Sequence, residues 1–302
     1  MALRTKSIPV LRRTLFLGYI RYMPEPPPIV LSIAGFDPSS GAGVTADIKT
    51  IAAHGCYGVS AITALTVQST AGVQRVAPVE QQLLTDSLDE LTRDVKVSAV
   101  HIGMLANQEI AGAVAEFLSS AKLSNVVLDP VINSSSGAAL LDESGLRVLV
   151  ERLFPIVDVV TPNVDEAALL TGMQVQSPEH MKCAARRLHE MGARTVVITG
   201  GHLDPALDLL SERNRPLQMF RSNRLESRNT HGTGCAFSTA LACQLALGRG
   251  LSLGTLLAKA YVLEAIKSAY SIGQGSGPVN HTGRRIGRQG EAGKTSSLVS
   301  DS

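Results

Sequence analysis

The chain has 302 residues, 44% hydrophobic and 18% charged, and 28 Lys and Arg against 26 Asp and Glu leave a formal net charge of +2. That length and apolar share suit one α/β domain with a large core, while the near-neutral balance, 4% aromatic content and lack of Trp exclude a basic, base-stacking surface for nucleic acid. Cys56, Cys183, Cys235 and Cys243 form no Cys-x-x-Cys pair and no zinc spacing with His, so a reducing, cytoplasmic setting is expected, without disulfide or structural metal.

In chain order, residues 1–28 carry Arg4, Lys6, Arg12, Arg13 and Arg21 before Glu25 and the triplet Pro26-Pro27-Pro28, and read as an N-terminal extension. Its apolar stretch, residues 14–20, is too short to span a bilayer, so no membrane partner is expected. The basic, acid-poor makeup leaves a transit peptide open, with Met23 as the natural start the plainer alternative. Apolar runs at 29–33, 59–65, 97–102, 126–128, 157–160 and 195–198 then alternate with helical spacing near 44–54, 80–94, 107–120, 143–153, 164–171, 178–191, 234–247 and 252–271. The runs lack period-two alternation, as for strands covered on both faces, which predicts a mostly parallel sheet between helical layers. Residues 207–227 break the pattern and predict short antiparallel strands around the turn-like 212–216. The domain is thus expected over 29–272, with a Gly- and Ser-rich disordered tail over 273–302.

Two glycine-rich stretches punctuate this pattern. Residues 33–43 follow the first strand and lead into a helix with Asp47 and Lys49, the layout of a ligand site at the carboxyl edge of a parallel sheet. Gly35, Gly41 and Gly43 do not have dinucleotide-fingerprint offsets, and Val44 stands where a phosphate loop of Walker type needs lysine. The second stretch, Asn229-Thr230-His231-Gly232-Thr233-Gly234-Cys235, opens onto a small-residue helix. Glycine there permits close backbone approach, and the first turn of a helix offers unpaired N–H groups and the positive end of the dipole, so Gly232, Thr233 and Gly234 read as an anion hole. The same field favours a thiolate at Cys235, which would make it a base or nucleophile; the alternative is a small packed residue.

Asp37, Asp47, Gln68, Met104, Asp129, Asn133, Asn163, Glu166 and Cys235 all fall at or just beyond strand ends, the functional edge of an open sheet. Asn163 and Glu166 have capping-box spacing, and Glu166 also suits a hard cation. Asp129, held by Pro130, reads as a site carboxylate or a loop cap, and Met104 as core packing when taken alone. His101, His202 and His231 are isolated and read as hydrogen-bonded structural residues, His231 gaining weight from its place in the anion turn.

Together these motifs, with Ala46-Asp47-Ile48-Lys49-Thr50, the run 62–70, Ile102-Gly103-Met104-Leu105, Leu128-Asp129-Pro130-Val131, Thr161-Pro162-Asn163 and Gly200-Gly201-His202, resemble the hydroxymethylpyrimidine/phosphomethylpyrimidine kinases of the ribokinase-like superfamily. The resemblance implies a three-layer α/β/α fold, phosphoryl transfer from ATP with Mg2+ to a small-molecule pyrimidine and then to its monophosphate, and a homodimer. It places pyrimidine binding on Gly35, Asp47, Val67, Gln68 and Met104. The catalytic base falls on Cys235, nucleotide and phosphate binding on Asn163, Thr199 and His231, and metal binding on Asp129 and Glu166. The chain departs from the family pattern at Phe36, where serine is usual, and at Thr199, where a lysine precedes Gly-Gly-His. Loss of that lysine predicts weaker hold on ATP, or a weaker second transfer, unless magnesium or another basic residue compensates. Two other readings stay open at this point: a pyridoxal or pyridoxine kinase of the same fold, and a pyrimidine-binding sensor that has lost transfer.

Overall fold

Each of the six apolar runs forms a strand, because residues that bury both faces of a sheet need no polar alternation. A computed structural model describes residues 25–201 and 203–282, so the expectations for residues 1–24, His202 and residues 283–302 lie outside it. The strands are β1 (Ile29–Phe36), β2 (Tyr57–Ser69), β3 (Gly72–Pro78), β4 (Val97–Ile102), β5 (Val126–Leu128), β6 (Val159–Val160), β7 (Thr195–Gly200), β8 (Ala206–Glu212) and β9 (Gln218–Ser222). They form one sheet in the order 3-2-1-4-5-6-7-8-9. β2, β1 and β4 to β7 run parallel; β3 at one edge and β8 at the other pair antiparallel to their neighbours, and β9 closes that edge.

The helices are α1 (Gly43–Ala53), α2 (Gln81–Asp94), α3 (Gln108–Ala121), α4 (Glu143–Val148), α5 (Val164–Thr171), α6 (Pro178–Glu190), α7 (Thr233–Ala246) and α8 (Leu251–Lys267), with a π-helical turn over Leu149–Leu153 continuing α4. Val30, Ala99, Val127, Val159 and Val197 pack toward Phe237, Leu241 and Ala258 of α7 and α8. Their neighbours Leu31, Val100, Val126, Val160 and Val196 pack toward Ile110, Val114, Met181 and Ala184 of α3 and α6. Adjacent residues of one strand thus serve opposite layers, which gives the expected three-layer α/β/α architecture. Each Val, Leu, Ile, Phe or Met among them contributes about 1.5–3 kcal/mol by burial. Every residue of α7 from Ala236 to Leu245 is buried, so this helix has no polar stripe and lies against the sheet.

Chain direction reverses its progress across the sheet at β1, flanked by β2 on one side and β4 on the other, and at such a point the carboxyl-edge loops diverge and leave a crevice. The antiparallel strands expected within 207–227 are present as β8 and β9. β3 has no counterpart in the sequence reading, because an edge strand exposed along much of its length lacks a continuous apolar run.

One boundary is corrected. Residues 273–282 are not tail: Ser276 N–H donates to the Thr70 carbonyl (3.0 Å), His231 N–H to Gly277 (3.1 Å), Val279 N–H to His231 (3.2 Å) and Asn280 N–H to Ala265 (3.0 Å). Val279 packs with Ala236 and Ala265, and Asn280 and His281 are buried. A polar segment is ordered here because distant backbone groups satisfy it, a partnership that local composition does not reveal.

Candidate active site

The front loop that follows β1 is organised by one carboxylate. Asp37, 3% exposed, accepts from Ser39 N–H (2.8 Å), Ser39 Oγ (2.7 Å), Gly41 N–H (3.2 Å) and Ala42 N–H (2.9 Å), and lies 2.9 Å from His231 Nε2. Burial by itself would raise its pKa, but the donors His231 and Ser39 outweigh burial and hold the carboxyl below its ordinary value. Lys49 Nζ donates to the Ser40 carbonyl at 2.8 Å, steadying a residue whose φ is +60°. Gly43, at φ +61°, ends the loop where an ideal β-carbon would lie 2.2 Å from the Gly35 carbonyl oxygen, so only glycine fits.

Beside this loop lie the residues expected to bind the acceptor. Gly35 faces Met104, whose sulfur would sit 2.9 Å from a β-carbon at position 35. Met104 is buried among Ala64, Ala106 and Leu140, and its carbonyl accepts from Thr63 Oγ1 at 2.6 Å. Gln68 receives a hydrogen bond from Thr66 Oγ1 (3.2 Å), and its amide nitrogen lies 3.2 Å from His231 Nε2. Thr66, overlooked in the sequence, therefore shares a face with Gln68, and alternation turns the 46%-exposed Val67 side chain to the other face, leaving only its backbone to the pocket. Asp47 is also corrected. It is fully buried, accepts from Ser32 Oγ (2.7 Å) and Thr239 Oγ1 (2.8 Å), and pairs with His101 Nδ1 (3.1 Å), so it ties β1, α1, α7 and β4 together rather than meeting a substrate. Burial alone would lower the His101 pKa, yet the neighbouring Asp47 carboxylate raises it overall.

The anion turn packs directly on the front loop: Gly232 has φ +83°, and a β-carbon there would lie 1.9 Å from the Gly41 carbonyl oxygen. α7 has no side-chain cap; Thr233 N–H turns back to Thr230, and the first intrahelical bond runs from Ala236 N–H to Gly232. The amides of Gly234 and Cys235 precede that bond, at the positive end of the helix. His231, expected with the nucleotide, lies against the front loop, its Nε2 2.9 Å from Asp37 Oδ2 and its Nδ1 3.4 Å from Ser135 Oγ.

Carboxylates converge on this helix start. Asp129 Oδ2 is 3.6 Å from the point a β-carbon on Gly234 would occupy. Burial pushes Asp129 up to about 6, with Asp47 adding to the rise and His101 and Ser238 opposing it. Glu166 is pushed well above its usual range by burial and then by Asp129, against the Asn163 N–H that donates to its Oε2 at 2.9 Å. The capping box is present, since Asn163 Oδ1 accepts from the Asp165 and Glu166 amides, both at 2.9 Å. At Cys235 the expected thiolate is corrected. Burial, Asp129 and Asp47, in that order, push the thiol well above its usual value, and the Gly43 N–H that donates to its sulfur only partly offsets them. The helix field is local and modest, and the buried carboxylates outweigh it.

Two mutually repelling, buried carboxylates beside a phosphate cradle match magnesium, which takes one or two carboxylates and completes its shell with water and phosphate. Among the described residues no three His, Cys, Asp or Glu side chains gather into a group that could hold a metal ion by themselves.

On the far side of α7 opens a cavity of about 690 Å3, lined by Asn163, Thr199, Thr233, Gly234, Phe237 and Lys259 among others. Thr199 N–H donates to the Pro162 carbonyl (2.9 Å), which sets residue 199 beside Asn163. Lys259, also overlooked, is buried in the wall and pairs with Asp208 at 2.9 Å. Its only sequence signal is a lone lysine within the otherwise apolar stretch of α8.

A family model described as phosphomethylpyrimidine kinase matches residues 37–280. The chain is 43% identical over 267 residues to the thiamine biosynthesis bifunctional protein ThiED of Geobacter sulfurreducens, covering 88% of this chain but only 54% of that protein. It is 41% identical to the hydroxymethylpyrimidine/phosphomethylpyrimidine kinase of Aquifex aeolicus, covering 82% of this chain and 97% of that one. The solved ADP complex of Bacillus subtilis pyridoxal kinase matches with a TM-score of 0.77 and 33% identity, over 85% of this chain and 98% of that one.

Proposed function

The chain belongs to the phosphomethylpyrimidine kinase family, and we propose that it moves the γ-phosphoryl group of ATP to the hydroxymethyl group of 4-amino-5-hydroxymethyl-2-methylpyrimidine, then phosphorylates the monophosphate in thiamine biosynthesis. The observation that carries this reading is the seam itself. The uncapped start of α7 lines the 690 Å3 cavity through Thr233 and Gly234, and meets the front loop through Gly232 at Gly41 and Cys235 at Gly43.

In this reading the pyrimidine ring lies against Met104 and Gly35, and the Gln68 amide meets its polar edge. Asn163, Thr199 and Lys259 face the nucleotide, Lys259 supplying a cation on the side where Thr199 replaces the usual lysine. The Gly234 and Cys235 amides hold the oxygens of the group in transit, and Cys235 Sγ takes the hydroxyl proton. Asp129 and Glu166 would hold magnesium, whose charge neutralises phosphate oxygens and the two carboxylates that oppose a thiolate. With those carboxylates paired, the thiol would give up its own proton to solvent, and the thiolate so formed would accept the proton of the substrate hydroxyl.

The Bacillus subtilis likeness supports a second reading, pyridoxal as acceptor, because the fold alone does not separate the two rings. Mass analysis of products from each acceptor with excess ATP tests both. A pyrimidine monophosphate followed by a diphosphate is expected, and faster turnover of pyridoxal would reverse the order.

We also propose a homodimer, supported by the exposed apolar pair Leu65 and Val67 on the β2–β3 edge, with monomer mass in light scattering as the contrary result. Among the described residues no helix is long and apolar enough to cross a membrane.

A further inference from the structure

We propose that His281, on the segment that crosses the site after α8, is a positioning residue for transfer: it fixes the Gly41 carbonyl and so sets the spacing between acceptor pocket and phosphate cradle. The proposal rests on the kinase reading above and deepens it. Gly41 lies where the two halves touch. Its N–H is bound by Asp37, its α-carbon packs against the His231 ring and Pro278, and its carbonyl oxygen presses on Gly232. That last contact is steric only, since an α-carbon offers no strong donor.

His281 supplies the donor. Its ring is buried, with Nε2 3.0 Å from the Gly41 carbonyl oxygen and Nδ1 3.3 Å from Thr50 Oγ1. A carbonyl can only accept, so Nε2 carries the proton and Nδ1 accepts from the Thr50 hydroxyl, which assigns the neutral tautomer. Burial pulls the His281 pKa down to about 4, in keeping with that form. The Tyr261 hydroxyl donates to the His281 carbonyl and locks the segment to α8. Through Gly277 and Val279 the same segment brackets His231, and through Ser276 it reaches Thr70 on the β2–β3 turn. One imidazole therefore joins the front loop, α1 and the segment that holds the anion turn.

Each substrate keeps its own contacts when this link is cut, but the distance between them is no longer held. A misplacement of about 1 Å costs on the order of a hundredfold in rate. The expected signature is a fall in kcat with KM for both substrates nearly unchanged.

Steady-state kinetics and melting temperature of full-length His281→Gln, His281→Asn and Tyr261→Phe test this. Gln places an amide N–H near the position of Nε2 and reaches Gly41, whereas Asn reaches only as far as Nδ1. Asn is expected to lower kcat roughly 30- to 100-fold, Gln less than about 5-fold, and Tyr261→Phe about 3- to 10-fold, with KM values within about 3-fold throughout. Equal loss in Gln and Asn at equal melting temperature would overturn the proposal, as would full activity in Asn. Should Asn fail to fold, Tyr261→Phe decides alone: unchanged kcat, or a rise in KM in place of a fall in kcat, overturns it. Turnover of pyridoxal but not pyrimidine by the unaltered enzyme would overturn the acceptor assignment only, and the ranking would then be read with pyridoxal.

Discussion

The half proposed for the acceptor and the half proposed for the nucleotide are built on opposite principles. Around the front loop polar groups are paired within the protein: Asp37 accepts from three backbone amides and a hydroxyl, His231 Nε2 donates to the same carboxylate, and the carboxyl is held below its ordinary pKa. Across α7 the balance is reversed, with Asp129, Glu166 and Cys235 all pushed upward by burial and like charge at an uncapped helix start. The first half is assembled before a ligand arrives. The second holds unfavourable electrostatics that a cation and phosphates would relieve, so binding energy from the nucleotide side is available to prepare the base.

The sharpest way to break this contrast is to remove a charge from the nucleotide wall. Lys259→Met leaves Asp208 buried without its partner and is expected to cost about 3–5 kcal/mol in denaturant unfolding, while Lys259→Met with Asp208→Leu recovers most of it. Equal losses in single and double variants would show that the pair is not the source. Next comes pH. The Asp129 pKa is raised on folding from 3.8 to about 6, so its contribution is fully present below about 3.8 and is lost as pH rises through 6. Without magnesium, Asp129→Asn should gain on the unaltered enzyme by roughly 2–3 kcal/mol between pH 4 and 7, measured as the difference between the two stability curves. Parallel curves would place no strain at Asp129.

Magnesium itself sharpens the comparison at the level of one sulfur. Paired carboxylates should raise the alkylation rate of Cys235 at pH 8 by about tenfold, one pKa step, read by peptide mass with and without the ion. No change would separate the cysteine from the carboxylates. The smallest effect belongs to Thr199→Lys, which should lower the KM for ATP by a few-fold, about 0.5–1 kcal/mol, and an unchanged KM would show that Lys259 already meets that need.

Much of the frame was legible in the chain because its causes are local. Asn163 and Glu166 form the capping box that their spacing announces, and the strands buried on both faces lack polar alternation as sheet packing demands. The misreadings share a physical origin in partners remote along the chain. Asp47 looked like a site acid, yet its partners Ser32, His101 and Thr239 lie 15, 54 and 192 residues away. The thiolate expectation weighed a helix dipole that is visible nearby in the chain, and not the closeness of Asp129, Asp47 and Glu166, which the fold brings to the sulfur from elsewhere in the chain. Residues 273–282 have tail-like composition and are ordered by backbone partners on α8 and on the loops at Thr70 and His231.

The account's central claim is that transfer occurs at the seam, with Cys235 as proton acceptor and no part of either binding site. A single-turnover quench with Cys235→Ala, paired with calorimetric titration of the pyrimidine, tests it most directly. The account predicts pyrimidine affinity within about threefold of the unaltered enzyme and a transfer rate lower by 10²- to 10⁴-fold, roughly the range of general-base catalysis. An undiminished transfer rate, or a loss of affinity that accounts for the whole defect, would contradict it.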